Sequence, residues 1–297
     1  MIKKAIIFIF ITLIIINCKS LYSKDLNIII KNDWYENNNI LKYSGGIMQE
    51  QKYIILHYTQ GTDINKVIDV YKDYGVSCHF IIDNNANIYN ILDEKYIAYH
   101  AGNSYYNKER QLNKNSFCIE VLNKDPFKKD FTRSQYKALI KLVKYLKNKY
   151  NIENKHILSH SDIAIFSGKD NGINIPRLVD LYNRKQDVSH LFNWKLLYKN
   201  DIGIWYNDSF LKKELNKTTN ILYYFGDKKE EIIDIKKKLE KLGYKITIND
   251  EFDVELYMIS IVFHRKFFKD YFYLSTQGFW SDLSTKVLDA IIEENNF

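Results

Sequence analysis

Two prolines and eleven glycines among 297 residues leave no material for long flexible linkers or for repeats built on those residues. Cysteine is equally scarce. Three are present, an odd number, and no Cys-x-x-Cys spacing occurs, so neither a disulfide framework nor a thiolate zinc finger organises the chain. Any metal site must draw on histidine and carboxylate. No glycine-rich phosphate loop joins a strand to a helix, which argues against nucleotide chemistry. A net charge of +7 is modest for this length, and no cluster of Arg and Lys is interleaved with aromatics, so nucleic acid is not an expected partner. What remains is ordinary globular composition, 46% hydrophobic and 27% charged, in a chain long enough for one large domain and a small one.

The one long apolar run lies at the start. Met1-Ile2-Lys3-Lys4 is followed by a nearly continuous hydrophobic segment from Ala5 to Ile16. It is shorter than the roughly 20 residues a membrane-crossing helix needs, and it fits the core of an export signal. Cys18 directly after it resembles the lipidation cysteine of bacterial lipoproteins, although Asn17 stands where a small residue is usual. The expectation is a signal peptide at 1–17 and export to the periplasm. A lipid on Cys18 would tie the chain to the cell envelope, with the outer membrane favoured over the inner one. Nothing in the spacing of Cys78 and Cys118 says whether they pair.

Past a tether and lead-in loop at 18–50, the run Tyr53-Ile54-Ile55-Leu56-His57-Tyr58-Thr59 reads as one buried strand carrying a histidine near its end. Ile157-Leu158-Ser159-His160 has the same form. Two such strands can bring two imidazoles to one end of a sheet. Asp63 or Thr62 caps a helix with Val67, Ile68 and Tyr71 on one face, and residues 77–92 read as a hairpin around Asp83–Asn87. Ser116–Leu122 alternates as a strand, and Thr132-Arg133-Ser134-Gln135 is a capping box opening a long helix.

Two imidazoles and one carboxylate form a catalytic zinc set with a coordination position left for water. His57 and His160 supply the nitrogens, and Asp170 and Asp187 are the two candidates for the third ligand. Glu120, set in an otherwise apolar strand, is the carboxylate placed to act as a base, because burial there without a partner or a task is costly.

The stretches Ile55–Thr59, Val76–Phe80, Ala98–Ser104, Leu112–Glu120 and His160–Ala164 together resemble the zinc-dependent N-acetylmuramoyl-L-alanine amidases of the type 2 family, and within it the outer-membrane lipoprotein branch. The likeness covers roughly residues 50–200. It implies an α+β fold, a mixed central β-sheet flanked by helices, and one zinc ion per chain on His57 and His160. It implies Glu120 as catalytic residue. The family's last motif, Lys-x-Asp-Pro-Gly followed by Leu-Phe-Pro-Trp, is matched by Lys185–Trp194, with Val-Ser in place of Pro-Gly and Asn193 in place of a proline. That alignment favours Asp187 as third ligand, brings Lys185 as oxyanion stabiliser, and leaves 165–183 as an insertion. Asp170 keeps the family's usual distance from His160 and stays the rival. His79 and His100 match positions that line the cleft; His100, with Asn103 of the same loop, is expected to meet substrate, whereas His79 is expected to be structural.

The implied activity is hydrolysis of the amide between N-acetylmuramic acid and L-alanine in peptidoglycan or muropeptides, in the domain at 51–200. Residues 201–297 carry three helical patterns and resemble the small three-helix peptidoglycan-binding domain that accompanies these enzymes. His264 there reads as a packing or surface residue. A monomer is expected. The competing reading is a peptidoglycan receptor on the same fold that has lost catalysis.

Overall fold

The computed structural model describes residues 26–31, 42–165, 185–210, 219–269 and 278–297. Cys18, Asp170 and most of the 165–183 insertion lie outside the described residues. The first half of the chain runs β1 (Ile28–Ile30), β2 (Ser44–Ile47), β3 (Tyr53–Thr59), α1 (Ile64–Tyr74), β4 (Phe80–Ile82), β5 (Ile88–Asn90), β6 (Tyr96–Ala98), β7 (Tyr105–Tyr106), β8 (Glu109–Arg110) and β9 (Ser116–Leu122). It continues with α2 (Arg133–Tyr150), β10 (Ile157–Ser159), α3 (His160–Ile163), α4 (Trp194–Tyr198), β11 (Ile221–Tyr223), α5 (Glu231–Lys241), α6 (Val254–Phe267), β12 (Trp280–Ser281) and α7 (Asp282–Glu294).

Six strands form the main sheet in the order β1-β5-β4-β9-β3-β10. Only the β4–β5 hairpin is antiparallel; the other four pairings are parallel, so the sheet is mixed. β9 and β3 lie side by side at its centre. Alternation along them sorts the side chains to two faces. Phe117, Ile119 and Val121, with Ile54 and Leu56, pack under Tyr136, Leu139, Leu142, Val143 and Leu146 of α2. The opposite face carries Cys118 and Leu122 under Val67, Ile68 and Tyr71 of α1. It also carries His57 and Glu120. Each fully buried Leu, Ile or Val stabilises the fold by about 1.5–3 kcal/mol, so these two helices fix the sheet that aims the polar pair.

The caps follow the sequence. Asp63 accepts from the Asn65 backbone at the start of α1, and Thr132 and Gln135 close the reciprocal box at the start of α2. Cys78 and Cys118 form a disulfide. The expectation of a bare tether and loop over 18–50 is corrected: Ile28–Ile30 adds an edge strand beside β5, and Ser44–Ile47 pairs with β6. Three β-branched residues are too few to give a period, but they suffice to dress an exposed edge.

The helical region contains three helices, α5, α6 and α7, plus a two-stranded sheet from β11 and β12. Ser281 caps α7. His264 is fully buried, with Nε2 2.7 Å from the Ser284 hydroxyl, which makes it a packing residue as expected. This region is not isolated. Its buried residues, including Leu239, Ile259, Phe263 and Val287, belong to the same hydrophobic cluster as Ile54 and Ile119 of the main sheet. No helix among the described residues is long and apolar enough to cross a membrane.

Candidate metal centre

His57 is the fifth residue of β3, and in the parallel register it sits directly opposite Glu120 of β9. β10 flanks β3 on the other side and ends at Ser159, which caps α3 together with Asp162. His160 is therefore the first residue of a short helix rather than the last of a strand. It still emerges at the same end of the sheet as His57. Asp187 arrives on a separate loop, held there by its backbone carbonyl, which accepts from the Ser161 N–H at 2.7 Å. The Asp187–Val188 peptide bond is cis.

These placements bring three ligand atoms together. The Nδ1 atoms of His57 and His160 each lie 2.9 Å from the same Asp187 oxygen, Oδ2. All three residues are at least nine-tenths buried, with relative exposures of 3%, 4% and 9%. For comparison, bonds of about 2.0–2.1 Å in a tetrahedral zinc site space the ligand atoms about 3.3 Å apart.

A chain of hydrogen bonds shows what the centre lacks. Burial pushes the His57 imidazole down to about 4 and the His100 imidazole well below its usual value, so both rings are neutral. The Ser116 hydroxyl gives its one proton to the Leu112 carbonyl at 2.5 Å. Toward His100 Nε2, 3.1 Å away, it can then only accept, so His100 carries its proton on Nε2. His100 Nδ1 in turn accepts from His57 Nε2–H at 3.0 Å. This leaves the lone pair of His57 Nδ1 facing a carboxylate oxygen with no proton between them. Two electron pairs aimed at one another call for a cation, and the donor set suits zinc. His160 Nε2 is buried without a hydrogen-bond partner.

A second grouping, His57, His100 and Cys118, also converges among the described residues, but the Cys118 sulfur is committed to Cys78 and offers no thiolate. His100 spends both ring nitrogens inside the protein, and it fixes the orientation and tautomer of His57 where the sequence suggested substrate contact. Replacing His100 by phenylalanine should weaken zinc binding by about 10–100-fold, measured by chelator competition. His79 is structural as expected: it donates to the Tyr96 carbonyl at 2.8 Å and accepts from the Cys118 N–H at 3.0 Å. Asn103 lies exposed on the loop after His100.

Glu120 presents Oε2 buried and without a hydrogen-bond partner. Burial first, and the Asp187 charge second, raise its carboxyl to about 8, while the Tyr71 hydroxyl and the Lys185 charge pull the other way. Lys185 is exposed, and its charge acts on both His57 and Glu120. The structure thus gathers His57, His160, Asp187, Glu120 and Lys185 at one place from four separate segments.

Residues 48–172 match the family model described as N-acetylmuramoyl-L-alanine amidase. Over these residues the chain is similar to that family. The chain is 28% identical over 168 residues to N-acetylmuramoyl-L-alanine amidase AmiD of Escherichia coli strain K12, an overlap of 52% of this chain and 54% of that one. It therefore spans about half the length of this curated relative. Its fold matches that of E. coli AmiD in complex with anhydro-N-acetylmuramic acid-L-Ala-D-gamma-Glu-L-Lys, at a TM-score of 0.62 and 22% identity, covering 82% of this chain and 89% of that one. It also matches AmpDh3 of Pseudomonas aeruginosa in complex with an anhydromuramic pentapeptide, at 0.62 and 23%, covering 82% and 92%. Both structural overlaps extend beyond the length of the segment matched by the family model. The family match ends at 172, which takes in Asp170 and leaves Asp187 outside. Geometry, however, gathers Asp187 with the two imidazoles of the matched segment.

Proposed function

We propose that this chain hydrolyses the amide bond between N-acetylmuramic acid and L-alanine in peptidoglycan or muropeptides, with one zinc ion held by His57, His160 and Asp187. The observation that carries this reading is the convergence of two imidazole Nδ1 atoms on one buried carboxylate oxygen, beside a Glu120 whose Oε2 has no hydrogen-bond partner. Zinc, when bound, supplies Lewis-acid activation of water and of the scissile carbonyl. Glu120 accepts the proton of the attacking water at Oε2 and hands it to the departing alanine nitrogen. Lys185, at the exposed rim, places a positive charge beside the oxyanion that develops. The resident groups of E. coli AmiD and AmpDh3 in their complexes are muropeptides, which supports this substrate class.

The test is a digest of purified cell wall and of muropeptides, with and without a chelator, read by mass analysis. The expected products are intact glycan and free stem peptides beginning with L-alanine, lost on chelation and regained with zinc. Release of no peptide under any metal condition leaves the receptor reading in its place, and cleaved glycan bonds point to a different wall chemistry.

We further propose export and lipidation at Cys18, which would hold the enzyme at the envelope, and a wall-binding role for 201–297. Radiolabelled palmitate incorporation that disappears in Cys18→Ala supports the first.

A further inference from the structure

The helical region meets the metal centre through one buried carboxylate. Asp162 stands two residues after His160, and its side chain is fully buried. Its Oδ2 accepts from the Ser159 backbone N–H at 2.8 Å and from the Ser159 hydroxyl at 2.7 Å, which closes the cap of α3. The two remaining partners come from the other end of the chain. Lys266 Nζ of α6 donates to Oδ2 at 2.9 Å, and the Tyr244 hydroxyl donates to Oδ1 at 3.0 Å.

Lys266 reaches further. It is 4% exposed, and its ammonium lies 4.5 Å from the ring centre of Trp194. Trp194 is buried and opens the helix that follows the Asp187 loop. One lysine thus touches the segment that carries His160 and the segment that carries Asp187. Those two segments are themselves joined by the bond from Ser161 N–H to the Asp187 carbonyl. A second clasp lies alongside: the Asn107 N–H donates to the Gly243 carbonyl at 2.8 Å, and Tyr244 packs edge-on against Tyr106. Gly243 has φ +102°, and a Cβ there would sit 2.6 Å from the Tyr106 ring, so only glycine permits this approach.

We propose that Lys266, with Tyr244, is a positioning residue for the metal centre: the helical region clamps the His160 turn and the Asp187 loop together through Asp162 and Trp194. The mechanism uses neither residue, and neither reaches the ligand atoms. Their effect passes through the backbone of α3 and the aromatic floor beneath the Asp187 loop. The inference rests on the zinc reading, and it makes 201–297 part of the catalytic scaffold whatever it binds outside.

The experiment uses the full chain. Zinc affinity by chelator competition, and the melting temperature of the metal-free protein, are measured for wild type, Lys266→Met, Tyr244→Phe and Lys236→Met. Lys236 is the control: it is fully buried in the same region and paired with Asp253 at 2.6 Å, at the far end of α6 from Lys266. Lys266→Met is expected to weaken zinc binding at least ~10-fold well below its melting temperature, the loss typical when a group supporting a ligand is removed. Tyr244→Phe, which deletes a single hydrogen bond and keeps the ring, is expected to weaken it several-fold and covers the case in which Lys266→Met does not fold. Lys236→Met is expected to lower the melting temperature and leave zinc affinity as in wild type. Equal loss of affinity in Lys236→Met, or unchanged affinity in both other variants, overturns the proposal while leaving the zinc centre standing. A wild-type chain that binds no zinc overturns both.

Discussion

Glu120→Gln is expected to retain one zinc per chain and to cut muropeptide turnover at least ~100-fold, measured by product formation at saturating substrate. The substitution keeps the shape of the side chain and removes its capacity to take a proton. Glu120 lies one strand away from His57 in register, so it stands over the same end of the sheet. Its Oε2 has no protein partner, which leaves a lone pair for the water proton. The pH dependence gives a second reading of the same group. In the metal-free chain burial raises this carboxyl to about 8, above the value it has when unfolded. Its contribution to stability is therefore fully present below about pH 4, and is lost as pH rises through 8. Metal-free Glu120→Gln should accordingly melt at a higher temperature than wild type at pH 9 and show a smaller difference at pH 5. Near-normal turnover in the variant removes Glu120 from the mechanism.

The second large effect concerns the third ligand. Asp187→Ala should emerge from purification without zinc and without amidase activity, whereas Asp170→Ala should keep both, with metal content read by elemental analysis. The reason is electrostatic. Burial opposes ionisation of Asp187, but the neighbouring His160 imidazole outweighs that and holds the Asp187 carboxyl well below its ordinary range; it is the one anion facing both Nδ1 atoms among the described residues. Without it, two imidazoles remain, a weak site for a divalent cation. If only Asp170→Ala loses zinc, the alignment of Lys185–Trp194 with the family's last motif fails, and with it the assignment of Lys185.

Much of this centre was legible in the chain. A histidine near the end of an apolar strand, a lone glutamate inside another, and a helix box after 132 are local signals, and each kept its place in the fold. His160 belongs to α3 rather than to β10, because the Ser159–Asp162 cap turns the backbone one residue early. That changes the element without moving the ligand from its end of the sheet. Other features have no local signal. The edge strand Ile28–Ile30 is too short to carry a period, and the pairing of Cys78 with Cys118 depends on β4 and β9 becoming neighbours. The tie from Lys266 to Asp162 joins residues 104 positions apart, and a lysine late in an amphipathic helix ordinarily reads as solvated surface. His100 was noticed for its loop, but its partnership with His57 requires the third dimension. What escapes a reading of sequence here is contact between distant segments, and this centre is assembled almost wholly from such contacts.

The parity of β9 has a consequence for how this chain can vary. Because successive side chains in a strand point to opposite sides, one residue inserted between Phe117 and Glu120 would exchange the two sets, turning the carboxylate under α2 and an isoleucine toward the cleft. Lengthening the β7–β8 hairpin tip at Asn107–Lys108 carries no such penalty for the sheet. Natural or engineered length changes are therefore confined to the rims, while the span from Ser116 to Glu120 behaves as a ruler of fixed length.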